Sequence, residues 1–160
     1  ISALAGVAGL RSVSLDVGGA YPLEALTGLP NLAVLALTGV AVPDIDMFAS
    51  LPRLRVLTLR GAGIRDLTPL SSFPYRADGT AGEDRYVLAW LSLPHNAVAD
   101  LKPLVGDPRY GRPGDTLVLS DNCLDLRPGS PVIDQLARLR QRGVEITVGR
   151  QTPDAERCRP

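Results

Sequence analysis

The side chains that could do acid–base or metal chemistry are few in this sequence. His95 is the only histidine, so the most common general acid or base of enzymes is available at a single position. The patterns GxSxG, HExxH, GxxxxGKS/T and GxGxxG, which would place a nucleophile, a zinc site or a phosphate-binding loop, are absent. We interpret His95 as a turn residue and predict no catalytic residue, no metal site and no cofactor.

Three aspartates recur at one position of a repeated pattern and allow two interpretations. They are Asp44, Asp66 and Asp100. Stacked on one another, their carboxylates would form an acidic ladder that attracts a cation. Alternatively, each carboxylate caps the short helical turn that follows it. We expect the capping role, which Pro69 and Pro103 fit because proline is favoured in the first turn of a helix.

The cysteines allow one disulfide or none. Cys123 and Cys158 are the only two, too few for a disulfide scaffold and without the four-ligand pattern of a structural zinc site. Two alternatives stay open: a single bond that ties the tail to the body of the protein, or two unpaired thiols.

The composition indicates a folded domain in which leucine is used periodically. Of 160 residues, 45% are hydrophobic and 21% charged, and 17 basic residues balance 17 acidic ones, which disfavours disorder and nucleic-acid binding. Polar residues, Gly and Pro interrupt every apolar stretch before it reaches the ~18 residues of a membrane-spanning helix, so we predict no membrane insertion. Leucine fills 26 positions, whereas aromatic residues make up 4%.

Apolar residues recur at a shift of 22 residues across most of the chain. Leu29 superimposes on Leu51, and the frame extends back to Val7 without a gap. A fourth copy follows an insertion at residues 74–87, and a fifth follows an insertion at residues 105–116. One copy cannot bury its own leucines, so the copies must stack. The pattern predicts an α/β repeat fold, a curved parallel sheet of about five repeats over residues 1–126.

The motif LxxLxL at residues 32–37, 54–59 and 88–93, followed downstream by I/V-x-D-L/I, resembles that of leucine-rich repeat proteins. The repeat length is similar to that of the bacterial internalin-type subclass. The resemblance implies a leucine-rich repeat solenoid that binds proteins, and it favours the cell envelope or exterior over the cytoplasm.

One departure from the family pattern concerns the asparagine that satisfies buried backbone groups in each turn. Asn96 and Asn122 occupy this position, whereas Gly18, Val40 and Ala62 occupy it in the other three turns. Those three turns therefore lack a side-chain amide, and we expect them to be looser or wetter.

Residues 127–148 break the repeat and predict a helix and a strand that cap the C-terminal end. Ser130 suits the N-cap, Pro131 the first helical position and Gly143 the helix end. Residues 144–148 alternate in polarity and predict a final strand.

The two ends of the chain differ. Residues 149–160 are interpreted as an irregular tail. Ile1 aligns with Leu23, in the middle of a repeat, so the first repeat has no cap of its own. We expect the chain to be a segment or subunit of something larger.

The candidate binding surface is the concave face of the predicted sheet, where side chains between the inward leucines line up in columns. Many of these side chains are small, like Thr58 and Ser92, and allow a partner to approach closely. Trp90, the only tryptophan, lies near the middle with Arg60 and His95. Trp and Arg most often dominate binding energy. The alternative is that the preceding insertion covers Trp90, which then serves packing.

The insertion at residues 74–87 carries Tyr75, Arg85 and Tyr86 and enters just ahead of the strand of Trp90. Insertions on one face of a repeat array commonly mark its binding face. We expect this segment to form a wall of the binding surface; the alternative is drift in loop length without function.

These features favour a non-catalytic module that binds another protein or a peptide segment through the concave face and the 74–87 insertion. The alternative is a structural subunit of a larger assembly, for example in the cell envelope, docked through the uncapped first repeat and the tail. A third interpretation, a segment of an enzyme, would require catalytic residues outside this sequence.

Overall fold

The computed structural model describes residues 2–4, 6–73, 88–151 and 158 of the chain. The insertion at residues 74–87, with Tyr75, Arg85 and Tyr86, lies outside these described residues. Within them, six strands form one sheet in which each strand pairs in parallel with the next in sequence. The strands are β1 (Ser12–Gly19), β2 (Val34–Val40), β3 (Val56–Arg60), β4 (Trp90–Ser92), β5 (Thr116–Val118) and β6 (Glu145–Thr147).

The pairing register reproduces the alignment of the repeats. Leu35, Leu57, Leu91 and Leu117 are successive register partners, and their side chains are fully buried. Because successive side chains of a strand point to opposite faces, these leucines fill the core while the residues between them line the other face of the sheet. That other face is the concave face of the predicted solenoid.

Each turn returns from the sheet through a short segment that buries further apolar side chains, such as Leu26, Ile45 and Leu70. The returning segments are the 3₁₀ helices Ser2–Leu4, Ile45–Ser50 and Thr68–Ser72, and the α-helices α1 (Glu24–Thr27) and α2 (Lys102–Gly106). A strand and a returning segment per repeat thus enclose one leucine core.

The three recurring aspartates cap the returning segments, as expected from their position. The Oδ1 atoms of Asp44, Asp66 and Asp100 accept the N–H of Asp46 at 2.9 Å, Thr68 at 2.8 Å and Lys102 at 2.9 Å, respectively. The side chain and backbone N–H of Thr68 lower the pKa of Asp66. Within the described ranges, no group of three or more His, Cys, Asp or Glu side chains is arranged to hold a metal ion.

Asn96 satisfies buried backbone groups of the turn before its own. Its Oδ1 accepts the N–H groups of Ala62 and Ile64, both at 3.0 Å, and its Nδ2 donates to the carbonyl of Leu59 at 2.6 Å. Only 1% of Asn96 is exposed, so these partners have no water to replace the amide.

Asn122 repeats this arrangement one turn later. Its Oδ1 accepts the N–H of Val98 at 3.0 Å, and its Nδ2 donates to the carbonyl of Leu93 at 2.8 Å. The two asparagines therefore form successive rungs of a side-chain ladder that joins consecutive turns.

The expectation that three turns are loose is wrong, because each asparagine amide bonds to the turn before its own. Because an amide serves the preceding turn, the turn of Ala62 is held by Asn96 even though residue 62 has no amide. The turn of Val40 uses backbone instead: the N–H of Val42 donates to the carbonyl of Ala62 at 3.0 Å.

The first turn also departs from the simple alignment. The register of β1 with β2 shifts after Asp16, so that Gly19 rather than Gly18 lies opposite Val40. The carbonyl of Gly19 accepts the N–H of Ala41 at 3.1 Å, which extends the backbone pairing into the turn. One extra residue in β1 thus replaces a side-chain contact.

At the C-terminal end, helix α3 (Pro131–Gln141) buries Val132, Leu136 and Leu139 in the leucine core, and β6 pairs with β5. Ser130 is the N-cap residue, but its hydroxyl donates to the carbonyl of Asp125 and does not accept a helix N–H. The predicted capping bond of Ser130 is therefore absent, because its hydroxyl is used by the preceding turn.

Arg142, at the end of α3, binds the insertion at residues 105–116 and the helix before it. Its guanidinium donates to the carbonyls of Leu104 at 3.3 Å, Val105 at 2.5 Å, Asp107 at 3.0 Å and Tyr110 at 3.1 Å. A cation here satisfies the carbonyls at the C-terminal end of α2. The residue thus joins two segments of different turns.

Gln151, predicted to belong to an irregular tail, continues the asparagine ladder. Its Oε1 accepts the N–H groups of Asn122 at 3.1 Å and Leu124 at 3.4 Å, and its Nε2 donates to the carbonyl of Leu119 at 3.0 Å. We call Gln151 with these three hydrogen bonds the terminal rung.

Of the two alternatives for the cysteines, the structure has the single bond. Cys123 and Cys158 are joined by a disulfide, with their Cα atoms 5.5 Å apart and a sequence separation of 35. Helix α3, β6 and Gln151 all lie within the loop that this bond closes.

Candidate binding surface

Trp90 is the most prominent side chain on the concave face of the described sheet. It begins β4, between its register partners Val56 on β3 and Thr116 on β5, and 43% of its surface is exposed. An exposed indole with small neighbours can be covered only by a partner or by another part of the chain.

The next column of the concave face is formed by small residues. Thr58 and Ser92 are register partners, continued by Ala36 on one side and Val118 on the other. Ser92 is only 8% exposed, so it offers little surface to a partner, whereas Thr58 is half-buried. Because these side chains are short, a partner can approach the backbone of the sheet next to the Trp90 indole.

Arg60 ends β3 and is exposed, in a column with Thr38 and Asp16. Among the residues that the structure describes, no carboxylate forms an ion pair with Arg60. Its guanidinium is therefore available for a carboxylate from outside the described chain, which it can bind through two parallel hydrogen bonds.

His95 lies in the turn after β4, as predicted, and its contact there was not foreseen. Its Nδ1 is in close contact with a carboxylate oxygen of Asp121, and 40% of its side chain is exposed. His95 and Asp121 have φ angles of 58° and 56° at the position where the preceding turn has Gly61. Such left-handed backbone is uncommon for residues other than glycine, and Asp and His are among those that tolerate it best.

Asn96 positions the turns that carry Arg60 and His95. A search for binding residues alone would not find it, because its side chain is buried. Its bonds to Leu59 and Ala62 enclose Arg60 and Gly61 on both sides. The N–H of Gly61 also donates to the carbonyl of Pro94 at 3.0 Å, so the turns that carry Arg60 and His95 are tied together. The sequence indicates the role of Asn96 through its position in the repeat, where it is aligned with Asn122, and not through its residue type.

A groove of about 570 Å³ lies among the returning segments, between Thr68–Ser72 and α2. The cations at its rim are engaged: Lys102 lies 3.3 Å from Asp100, and Arg109 lies 2.8 Å from Asp107. The hydrogen bond from the Arg109 side chain lowers the pKa of Asp107. We therefore place the candidate site on the concave face and not in this groove.

The parallel sheet, the leucine core and the asparagine rungs define a leucine-rich repeat solenoid. Two solved structures of Listeria monocytogenes internalins are similar to it. An internalin (inlF) is 21% identical with a TM-score of 0.57, covering 94% of this chain and 44% of that chain. An internalin C2 (inlC2) is 23% identical with a TM-score of 0.52, covering 88% of this chain and 65% of that chain.

These similarities establish the fold, as the internalin-type repeat length predicted. The chain spans less than two thirds of the length of either internalin. No protein-family model and no curated protein matches the sequence. Within the described part of the chain, no helix has the length and apolar character to cross a membrane.

Proposed function

We propose that the chain is a non-catalytic module that binds another protein, or an extended peptide segment of one, on its concave face. The observation that carries this proposal is the exposed Trp90 beside a column of small side chains. The internalin fold supports it as an analogy of architecture, because stacked repeats present one extended face to a partner.

Trp90 supplies the apolar anchor of the proposed interface. A tryptophan that becomes fully covered on binding typically costs ~2 kcal/mol or more of affinity when truncated to alanine. The half-buried Thr58 and the exposed edge at His95 would form the polar surroundings. The insertion residues Tyr75, Arg85 and Tyr86 complete the surface in this proposal.

Arg60 determines the chemistry of the partner. Because no described carboxylate pairs with it, a partner that places Asp or Glu against Arg60 gains a charge-assisted bond without breaking one. We therefore expect a partner segment that combines a large apolar residue for Trp90 with a carboxylate for Arg60.

Selection of random-sequence peptides displayed on phage, against the intact protein, tests this. We expect enriched peptides with an apolar and an acidic residue, and a loss of affinity of about 30-fold or more for Trp90→Ala. Arg60→Glu should shift the selection from acidic to basic peptides. The melting temperature of both variants should stay unchanged, since both side chains are exposed.

Two variants serve as matched controls for this experiment. Tyr21, 41% exposed near β1, controls for loss of an exposed aromatic ring, and the exposed Arg140 on α3 controls for loss of a surface charge. Unchanged affinity of Trp90→Ala would contradict the proposed site. A lower melting temperature of that variant would instead support the alternative, in which Trp90 serves packing.

The second candidate function, a structural subunit docked through its first repeat, is favoured by one observation. Leu15 is partly exposed, whereas its register partners in the next two strands, Leu37 and Leu59, are completely buried. Among the described strands, β1 pairs only with β2. Docking there predicts that the amides of β1 that do not pair with β2 exchange slowly with solvent only in the assembly. Slow exchange of those amides in the isolated chain would contradict it.

A further inference from the structure

The terminal rung is the most exposed member of the ladder. Asn96 and Asn122 are 1% and 0% exposed, whereas Gln151 is only half-buried, because no described turn covers it. Water can therefore compete for the N–H groups of Asn122 and Leu124 that Gln151 accepts. The Nε2 of Gln151 also donates to the carbonyl of Val148, but its hydrogen bonds are open to competition by water, unlike those of the two buried asparagines.

The disulfide lies at the same turn. Cys123 stands between Asn122 and Leu124, and its own N–H donates to the carbonyl of Val98 at 2.9 Å. Its partner Cys158 follows Gln151 in the chain, so the bond returns the chain to the turn that Gln151 serves. Closing a loop of this length raises the effective concentration of Gln151 at its partners.

We propose that the Cys123–Cys158 disulfide is a redox-sensitive latch for the terminal rung. With the bond in place, Gln151 accepts the N–H groups of the last turn, as Asn96 and Asn122 do for the turns before their own. With the bond reduced, Gln151 leaves and the backbone groups of that turn become accessible to water. The leucine core and the two asparagine rungs stay intact.

The redox step requires a thiol reductant. A dithiol such as dithiothreitol attacks the bond and leaves as its own cyclic disulfide, having given up two electrons and two protons. Cys123 and Cys158 each take one electron and one proton and become thiols. The latch is therefore closed in oxidising compartments and open where thiol reductants are maintained.

Reduction of the disulfide would also affect the turn of Asp121, at the edge of the concave face. The N–H of Asp121 donates to the carbonyl of Arg150 at 2.8 Å, and Arg150 precedes Gln151 directly. The carboxylate of Asp121 is in contact with His95. Release of residues 150 and 151 thus removes one support of the turn against which His95 lies.

Amide hydrogen exchange of the full chain, followed by NMR with and without dithiothreitol, tests the latch. The sensors are the amides that the last residues hold, those of Asp121, Asn122 and Leu124. The references are the amides that the asparagines hold, those of Ala62, Ile64 and Val98. On reduction we expect the sensors to lose protection by about 10-fold or more, with the references unchanged.

Two variants separate the bond from the rung. Cys123→Ser with Cys158→Ser should match the reduced protein and no longer respond to dithiothreitol. Gln151→Ala, with the disulfide intact, should expose the amides of Asn122 and Leu124 but not that of Asp121, whose acceptor is a backbone carbonyl.

Either of two results would overturn the latch. Sensors that stay protected after reduction would mean that Gln151 holds its place without the bond. Equal loss of protection at sensors and references would mean that the disulfide supports the whole solenoid and not the terminal rung.

Discussion

The two halves of the solenoid satisfy the backbone of their turns in different ways. In the C-terminal half, side-chain amides of Asn96, Asn122 and Gln151 reach back to the preceding turn. In the N-terminal half, the corresponding groups pair with each other directly, as the N–H of Val42 does with the carbonyl of Ala62. Both solutions leave the leucine core equally closed, since Leu37 and Leu119 are both 0% exposed.

The difference is visible in the lengths of the strands. Strands β1 and β2 have 8 and 7 residues, whereas β4 and β5 have 3 each. In the C-terminal half a side-chain amide accepts N–H groups of the turn, while backbone bonds such as that from the N–H of His95 to the carbonyl of Ser120 continue beside it. Where no amide is present, the pairing continues to Gly19 and Val40. The ladder and the longer strands are therefore two ways to satisfy the buried backbone groups of a turn.

Asn96→Ala should have the largest effect on stability of the changes considered for this comparison. It leaves two N–H groups and one carbonyl of the turn at Leu59–Ile64 without a partner in the interior. We expect a loss of about 3 kcal/mol in the free energy of unfolding, measured by urea denaturation.

The matched control for that change is Asn31→Ala. The amide of Asn31 makes a single surface bond, to the carbonyl of Ala8 at 2.6 Å. We expect its loss to cost less than ~1 kcal/mol. Equal effects of the two substitutions would show that the ladder contributes no more than an ordinary surface hydrogen bond.

Ala62→Asn would extend the ladder by one rung into the N-terminal half. Residue 62 is buried and has the position of Asn96 in the previous turn. The N–H of Val42, which the new amide would serve, already donates to the carbonyl of Ala62. We therefore expect a loss of about 2 kcal/mol, because a buried amide without partners is unfavourable.

The exposed Ala99→Asn serves as control for the asparagine substitution and should change stability by less than ~0.5 kcal/mol. Unfolding of the three proteins in urea gives the comparison. If Ala62→Asn were as stable as the unsubstituted chain or more so, a side-chain amide could serve this turn as well as the backbone bond of Val42 does.

The periodic part of the molecule could be predicted from the sequence because its leucines report the register directly. Strands β2, β3 and β4 begin within the predicted motifs, and Trp90 lies on the concave face between Val56 and Thr116. Asp44 caps its segment for a local reason, as a carboxylate two residues ahead of a free N–H.

The contacts that could not be predicted are long-range and do not recur in the sequence. Arg142 binds carbonyls of residues 104–110 because the cap helix happens to end beside α2. Gln151 was missed because the ladder residue there is a glutamine outside any leucine motif. Counting from β6, where Thr147 pairs with Val118, would have placed Gln151 at the position of Asn122.

The smallest expected effect on stability concerns the aspartate caps, which occur in both halves. It depends on pH. Thr68 lowers the pKa of Asp66 from its ordinary value of 3.8, first through its side chain and then through its N–H. A carboxyl whose pKa is lower in the folded than in the unfolded state stabilises the folded protein at pH values above the unfolded-state pKa. This contribution disappears as the pH falls through the folded-state pKa. Because Asp66 is exposed, solvent screening limits the contribution to ~0.5 kcal/mol or less.

Asp66→Asn isolates this contribution because asparagine keeps an oxygen that can accept the N–H of Thr68 but carries no titratable charge. Urea unfolding at pH 7 should show the small loss, and the two proteins should become equal at a pH below the folded-state pKa of Asp66. Asp66→Ala, which removes the acceptor as well, should be less stable than Asp66→Asn at both pH values. If Asp66→Asn and Asp66→Ala were equally unstable at pH 7, the charge and not the hydrogen bond would be what holds the returning segment, and the cap shared by both halves would be purely electrostatic.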